Sequence, residues 1–420
     1  MHYEYHRNQE RCSKCRYCIT RVSCPSPNSC VGCRACYLAC PSEAIEETTV
    51  QPKSAVTITV DGQRVEVPGD TTIKVALEHL GYSFSRYIED AGFFAPCETG
   101  GCYACSVLVN NQVRQSCHTA VSEGQRIETR LSQDQHPIRI VGWHQAHSVG
   151  GVGTPWPEKG VGRGWAFYAE AACFSAGCNL RCRTCQNHDV TYDSRAKAVT
   201  PEEAARHLLQ LRERVAVHRM AISGGEATLN RPWLLRFFRH LKENAPSGSR
   251  LHLDTNATVL TKDYIEKLID AGMTDIGPDL KAVSLETFQT ISGVTDSNLA
   301  KRYLETSWNA VRHLLQNHYP ENVFVGIGLP FNPMFYTSIE VMDSELHEWA
   351  SRLISLNDQV QVTVLDYRPE FRRADISRPS IDEMKNVKSF LEGVGLRTVI
   401  AQTAAGHLAP TTPAPDIEMA

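Results

Sequence analysis

Short apolar runs, each closed by small or polar residues, recur along the second half of the chain near 167–173, 219–223, 250–255, 273–278, 323–328 and 360–365. Between them the apolar positions change to the three-and-four spacing of amphipathic helices. The first of these helices has a complete start signal. Thr200 stands at the N-cap, Pro201 at the first helical position and Glu203 where a capping box needs it, with Ala204, Leu208, Leu209 and Leu211 as the apolar face. A second, "RPWLLRFFRHLKENA", begins at Pro232 and offers Leu234, Leu235, Phe238 and Leu241 to a core. Six strand-helix units predict an α/β fold over 164–405, a partial (β/α)6 barrel open on one side, with chemistry at the C-terminal strand ends.

The first half reads differently. "AVTITVDGQRVEVPGDTTIKVALEHLG" alternates like a hairpin around Asp61-Gly62, then turns at Pro68-Gly69-Asp70 into a helical run. "SVLVNNQVRQSC" reads as a second hairpin through Asn110-Asn111. These place a small α+β domain at 54–133. From 134 to 163 glycine and proline dominate and periodicity fades, which predicts a linker or a strap across the next domain. Residues 406–420, "GHLAPTTPAPDIEMA", predict a disordered tail.

With 420 residues, 42% hydrophobic and 21% charged, the chain can bury several cores. A formal charge of -4 argues against a nucleic-acid partner but leaves a local basic groove open. No apolar run has the length of a membrane span, and the N-terminus lacks the apolar stretch of a signal peptide, so a cytoplasmic protein without a membrane partner is expected.

The sixteen cysteines change the picture most. They sit in tight clusters, a pattern of metal sites rather than disulfides in a chain of this size. Cys30-x2-Cys33-x2-Cys36-x3-Cys40-Pro41 has the spacing of a bacterial 4Fe-4S run, and Cys12-x2-Cys15-x2-Cys18-x5-Cys24-Pro25 is a looser copy. Cys97-x4-Cys102-x2-Cys105, with Cys117 after eleven intervening residues, has the opening spacing of a plant-type 2Fe-2S site. Zinc is the competing metal in each case. His118, beside Cys117, is read as an ordinary loop residue, and His136, His144 and His147 have no metal-ligand spacing. Cys178-x3-Cys182-x2-Cys185 has three thiolates only, enough for three irons of a cubane with the fourth open to an exogenous ligand. Cys173 fits no set.

Residues 1–50 resemble a two-cluster 4Fe-4S ferredoxin module. That resemblance implies one cluster on Cys12, Cys15, Cys18 and Cys40 and another on Cys24, Cys30, Cys33 and Cys36. The second cysteine set resembles the 2Fe-2S domains of molybdenum hydroxylases. "GCNLRCRTCQN" resembles the radical S-adenosylmethionine (SAM) superfamily, in the branch of pyruvate formate-lyase activating enzymes, although Thr184 stands where an aromatic residue is frequent. Ser223, Gly224, Gly225 and Glu226 resemble the family's GGE motif. Asp254, Thr255 and Asn256 resemble its D-T-N segment, and Asp279 and Lys281 its DxK motif. These, with Asn332, are implied to bind SAM, while Tyr367, Arg368 and Arg372 are candidates for meeting substrate.

The resemblance implies three 4Fe-4S clusters, one 2Fe-2S cluster and SAM. The implied reaction is reductive cleavage of SAM to methionine and a 5′-deoxyadenosyl radical that abstracts hydrogen. An external low-potential donor, a ferredoxin, flavodoxin or reductase subunit, would feed the relay, with the ferredoxin-like module expected nearer the radical site and the 2Fe-2S domain nearer the donor. A protein or peptide substrate, as for glycyl-radical activation, is the first expectation. Radical modification or redox conversion of a small metabolite or cofactor is the second, and an electron-transfer subunit without radical catalysis the third.

Overall fold

The computed structural model describes residues 2–51, 54–131, 135–149, 151–156 and 169–411. A ten-stranded mixed sheet forms its largest part. Seven of its strands are consecutive and parallel: Ala169–Ser175, Arg219–Gly224, Arg250–Thr255, Asp275–Pro278, Phe324–Phe331, Gln361–Asp366 and Thr398–Thr403. The sequence pattern gave six; "TVIAQT", with its polar ends, lacked the long apolar run of the others. Antiparallel strands Arg139–Ser148 and Gly406–Leu408 flank the parallel set, so the sheet is of the open, partial-barrel kind.

The helices bury the faces their spacing predicted. Pro201–Val215 buries Ala204, Leu208 and Leu211, and Thr200 accepts a hydrogen bond from the Glu203 amide at 3.2 Å. Arg231–Asn244 starts from Asn230, whose side chain accepts from the Trp233 amide, and buries Trp233, Leu234, Phe237, Phe238 and Leu241. Burying such a side chain contributes about 1.5–3 kcal/mol.

The stretch expected to be a linker or strap contains both a strand and a strap. Arg139–Ser148 pairs with Ala169–Ser175, and its register slips between Val141 and His144, which breaks the alternation that would have revealed it. Residues 151–156 then thread the interior of the sheet. The Gly153 amide donates to Gly326 O at 3.0 Å, and Gln361 Nε2 donates to the carbonyls of Gly151 and Thr154. A Cβ on Gly153 would come within 2.7 Å of the Gly277 amide nitrogen, so only glycine passes there. The remainder of that stretch, like 412–420 of the expected tail, lies outside the described residues; Gly406–Leu408 of that tail is a strand.

Ahead of the barrel lies a five-stranded sheet built on the two expected hairpins, Ala55–Val60 with Gln63–Pro68 and Ser106–Val109 with Gln112–Gln115. Asn110 and Asn111, both left-handed, make the second turn. The first fifty residues pair His2–Arg7 with Ile45–Val50 and hold two short helices, Tyr17–Thr20 and Ala35–Ala39. Each helix is preceded by a left-handed arginine, Arg16 or Arg34, inside a Cys-Arg-x-Cys step, so the two cysteine runs repeat in backbone as well as in spacing.

Candidate functional site

Every residue of Ala169–Ser175 is buried, and the chain leaves that strand through Gly177, at φ 84°, into the three-cysteine loop. Arg181 braces the loop, donating to the carbonyls of Cys178 at 2.7 Å and Leu180 at 2.8 Å. The sulfur of Cys178 accepts from the Leu180 amide at 3.4 Å. Cys178, Cys182 and Cys185 all face one cavity of about 290 Å³. Burial raises all three thiols, Cys185 to about 12, so only a bound cation would hold them as thiolates.

The opposite wall comes from the C-terminal ends of the next three strands. It consists of the Ser223–Gly225 turn, Asp254 to Asn256, and Asp279 with Lys281. A Cβ on Gly225 would lie 2.9 Å from the carbonyl carbon of Gly177, so this turn can approach the cysteine loop only as glycine. Lys281 is buried 3.3 Å from Asp279. Burial alone would depress its ammonium, but Tyr367, Asp279 and Cys182 outweigh that and hold it well above its ordinary range. A fixed cation therefore points at the cavity beside the cysteines.

Glu226 and Asn332 do not reach this wall. The Glu226 carboxylate accepts from the Thr228 amide at 3.1 Å and hydroxyl at 2.5 Å, from the Thr255 hydroxyl at 2.8 Å and from the Asn256 amide at 2.7 Å. It braces one wall segment against another. Asn332 is turned to the carbonyls of Tyr367 and Ser377 and caps the short helix after its strand. Of the substrate candidates Tyr367 lines the cavity, but Arg372 donates to the carbonyls of Cys40 and Leu38 and ties the N-terminal module to the barrel.

Two further wall residues, Glu170 and His252, escaped the sequence reading, and His147, which showed no metal-ligand spacing, joins them. Glu170 accepts from His147 at 3.2 Å and from His252 at 3.1 Å, and His252 Nε2 lies 3.1 Å from Asp254. Burial would lower His252, but Asp254 and Glu170 raise it to about 10. Burial would likewise raise Glu170, but His252 and His147 hold it far below the carboxylate range. A glutamate inside "AEAACFS" and a histidine inside "RLHLDT" were the available signals. His136 and His144 do not join His147: the first meets Arg236 and the second packs edge-on against His207. Cys173 lies buried inside its strand, its thiol pushed up to about 12.

The other cysteine sets also converge. Cys12, Cys15, Cys18 and Cys40 line one cavity of about 110 Å³, with Arg7 donating to the Cys18 sulfur at 3.5 Å and the Ala44 amide to Cys40 at 3.3 Å. Burial, with added repulsion from Cys24 and Cys30, raises Cys33 and Cys36 to about 12. Cys97, Cys102, Cys105 and Cys117 are buried together, and the sulfurs of Cys97 and Cys102 are 3.0 Å apart. Crowded thiols with N–H donors aimed at their sulfurs fit iron-sulfur ligation.

Both small modules press on the three-cysteine loop. A Cβ on Gly177 would fall 2.8 Å from the Cys102 nitrogen, Arg181 also donates to Cys97 O at 2.8 Å, and Asn230 donates to Cys102 O at 3.0 Å. From the other side Tyr17 donates to His188 O at 2.6 Å, and Phe371 stacks on Tyr192, within a buried cluster against which Cys33 and Cys36 also pack. Residues of the Cys97 to Cys117 set therefore border the three-cysteine loop directly, as the N-terminal module borders it from its own side. The short Cys105 to Cys117 return folds that loop inward onto Gly177.

Two stretches of the chain match known protein families. The model of the radical SAM superfamily matches residues 173–334, and that of the 2Fe-2S iron-sulfur cluster binding domain matches residues 53–131. The chain is 30% identical over 135 residues to "Probable GTP 3',8-cyclase" of Methanococcus aeolicus, covering 32% of this chain and 43% of that protein. It is 24% identical over 240 residues to "Putative glycyl-radical enzyme activating enzyme MJ1227" of Methanocaldococcus jannaschii, covering 55% of this chain and 90% of the other. The alignments span 33% to 43% of the length of the first curated relatives matched. Among solved structures, HydG, a maturase of the FeFe hydrogenase, aligns over 52% of this chain and 48% of its own, with 14% identity and a TM-score of 0.40. The chain thus carries the catalytic domain of the radical SAM class at residues 173–334, joined to a 2Fe-2S iron-sulfur cluster binding domain at residues 53–131.

Proposed function

We propose that the chain is a radical SAM enzyme that brings its own electron relay and acts on a protein or peptide. The observation that carries the reading is the single cavity in which three cysteines, with no fourth, face the glycine turn at 223–225, Asp254 to Asn256 and the buried Lys281. A 4Fe-4S cluster on Cys178, Cys182 and Cys185, with SAM on its open iron, would supply reductive cleavage to methionine and a 5′-deoxyadenosyl radical. Ser223 to Gly225 would offer carbonyls to the SAM amine, and Lys281 would face its carboxylate. Asp254, Thr255 and Asn256 would line its flank, held in place by Glu226. Asn332 would act only through the loop it caps.

Three features support the wider reading. The Cys12 to Cys40 cavity and the Cys24 to Cys36 set suit two more 4Fe-4S clusters, and the buried Cys97 to Cys117 set suits a 2Fe-2S cluster. A cavity of about 290 Å³ is at the small end for one ligand, so a second reactant has to reach it across the open face, as a protein segment can. The archaeal relative named for glycyl-radical enzyme activation shares most of its length with this chain, which points the same way.

Anaerobically reconstituted protein given SAM and dithionite should release 5′-deoxyadenosine and methionine in equal amounts. Cys178→Ser, Cys182→Ser and Cys185→Ser should release neither. Release by all three variants at the parent rate would remove the reading.

A further inference from the structure

The N-terminal cysteine module carries a cationic surface outside the radical site. Residues 7–21 carry Arg7, Arg11, Lys14, Arg16 and Arg21 against a single carboxylate, Glu10, in a chain whose formal charge is -4. Arg11 meets Glu46 at 3.6 Å and Arg21 meets Asp189 at 3.2 Å. Among the described residues Arg7, Lys14 and Arg16 have no carboxylate partner. All three are exposed, as is Cys15 between the last two, and Ile19 beside them is 46% exposed. Arg7, Lys14, Arg16 and Ile19 also line the cavity formed by Cys12, Cys15, Cys18 and Cys40.

The other cysteine sets lack this setting. Cys24 is also exposed, but residues 22–33 around it carry no lysine or arginine. Cys97, Cys102, Cys105 and Cys117 are all buried, and their loop is sealed against Gly177 and Asn230. An unpaired cationic rim with one apolar side chain, placed over an exposed cysteine, has the composition of a transient docking face: charges to steer, a small apolar centre to seat. We infer that Arg7, Lys14, Arg16 and Ile19 form the docking face for an acidic one-electron carrier protein, which delivers electrons at the Cys12, Cys15, Cys18 and Cys40 site. The inference rests on the relay reading above. It makes the N-terminal module the entry and the 2Fe-2S domain an interior branch in contact with the radical loop.

Stopped-flow reduction of the anaerobic holoprotein tests it, following the visible iron-sulfur absorbance. A purified acidic ferredoxin is one reductant; reduced methyl viologen, a small reductant without an acidic face, is the control. Steering by opposite charge raises encounter rates by about 10 to 1,000-fold and fades with salt. Lys14→Glu with Arg16→Glu should therefore slow the ferredoxin at least tenfold at low ionic strength, with the difference closing at high salt, and leave viologen reduction within about twofold. Lys14→Gln with Arg16→Gln should fall between, at parental iron content. Equal ferredoxin rates in parent and charge-reversed protein overturn the inference, and so does a parallel loss with viologen at parental iron content. Dithionite-driven 5′-deoxyadenosine release separates the two readings. Its absence from the parent sinks the proposed reaction, while a charge-dependent ferredoxin rate would still establish the docking face.

Discussion

Replacing Gly177 by alanine tests the contact between the 2Fe-2S loop and the radical loop with one methyl group. At φ 84° an alanine costs about 1–2 kcal/mol in backbone strain wherever it stands. Here the new Cβ would also lie 2.8 Å from the Cys102 nitrogen, 2.9 Å from the Cys102 Cβ and 3.2 Å from the Cys97 Cβ. Two of these atoms are closer than any Cβ tolerates, and the neighbours are cysteines of a buried set. Overpacking a tight site adds about 1–3 kcal/mol. Gly248 is the matched control, with φ 77° and nothing within 4 Å of its would-be Cβ, so Gly248→Ala carries the strain alone. For a domain of 150–250 residues each kcal/mol lowers Tm by about 2–4 °C, so Gly177→Ala should melt at least about 2 °C below Gly248→Ala. The assay is anaerobic thermal unfolding with visible circular dichroism of the clusters. The 2Fe-2S signal should be altered in Gly177→Ala and parental in Gly248→Ala. Identical melting and an unchanged 2Fe-2S signal in both variants would refute the contact.

Removing the brace at Glu226 should be costly. Glu226→Ala leaves four buried donors without their acceptor, a loss of about 3 kcal/mol or more in chemical denaturation, and Glu226→Gln should recover part of it. Lys281→Met strands Asp279 and removes the buried cation, so SAM affinity measured by calorimetry should fall at least about tenfold with cluster content unchanged. The His252 network gives a pH signature. Because His252 is raised from 6.5 to about 10, its stabilisation is complete below about pH 6.5 and lost as pH rises toward 10. Glu170 is lowered from 4.5, so its share is present above about pH 4.5 and lost as pH falls below that. His252→Gln should remove the alkaline slope of Tm between pH 6.5 and 10 relative to the parent, and an unchanged slope would contradict the network.

Much of this was legible in the chain because short-range patterns carried it. The six apolar runs lie within about three residues of observed strands, and Cys178, Cys182 and Cys185 line one cavity, as Cys12, Cys15, Cys18 and Cys40 line another. The motif residues at 223–225, 254–256, 279 and 281 share one wall because each follows a parallel strand on the same edge. What escaped depends on long-range partners. Arg139–Ser148 is a strand only because Ala169–Ser175 pairs with it, and its slipped register erased the alternation. Glu226 looked like a ligand until its four donors, two from Thr228 beside it and two from the Thr255–Asn256 segment, turned it into a brace. Glu170 and His252 are inconspicuous alone and form a network only when three strands meet. The placement of the 2Fe-2S loop against Gly177 also required the fold, since no spacing records which face of one domain meets another.

The most direct test of the central claim is electron-nuclear double resonance on the reduced, anaerobic protein with SAM labelled with 15N in its amino group and 17O in its carboxylate. Both labels should couple to the cluster held by Cys178, Cys182 and Cys185. Absence of both couplings in protein with full cluster content and bound SAM would show that the iron left open by these three cysteines is not where SAM binds.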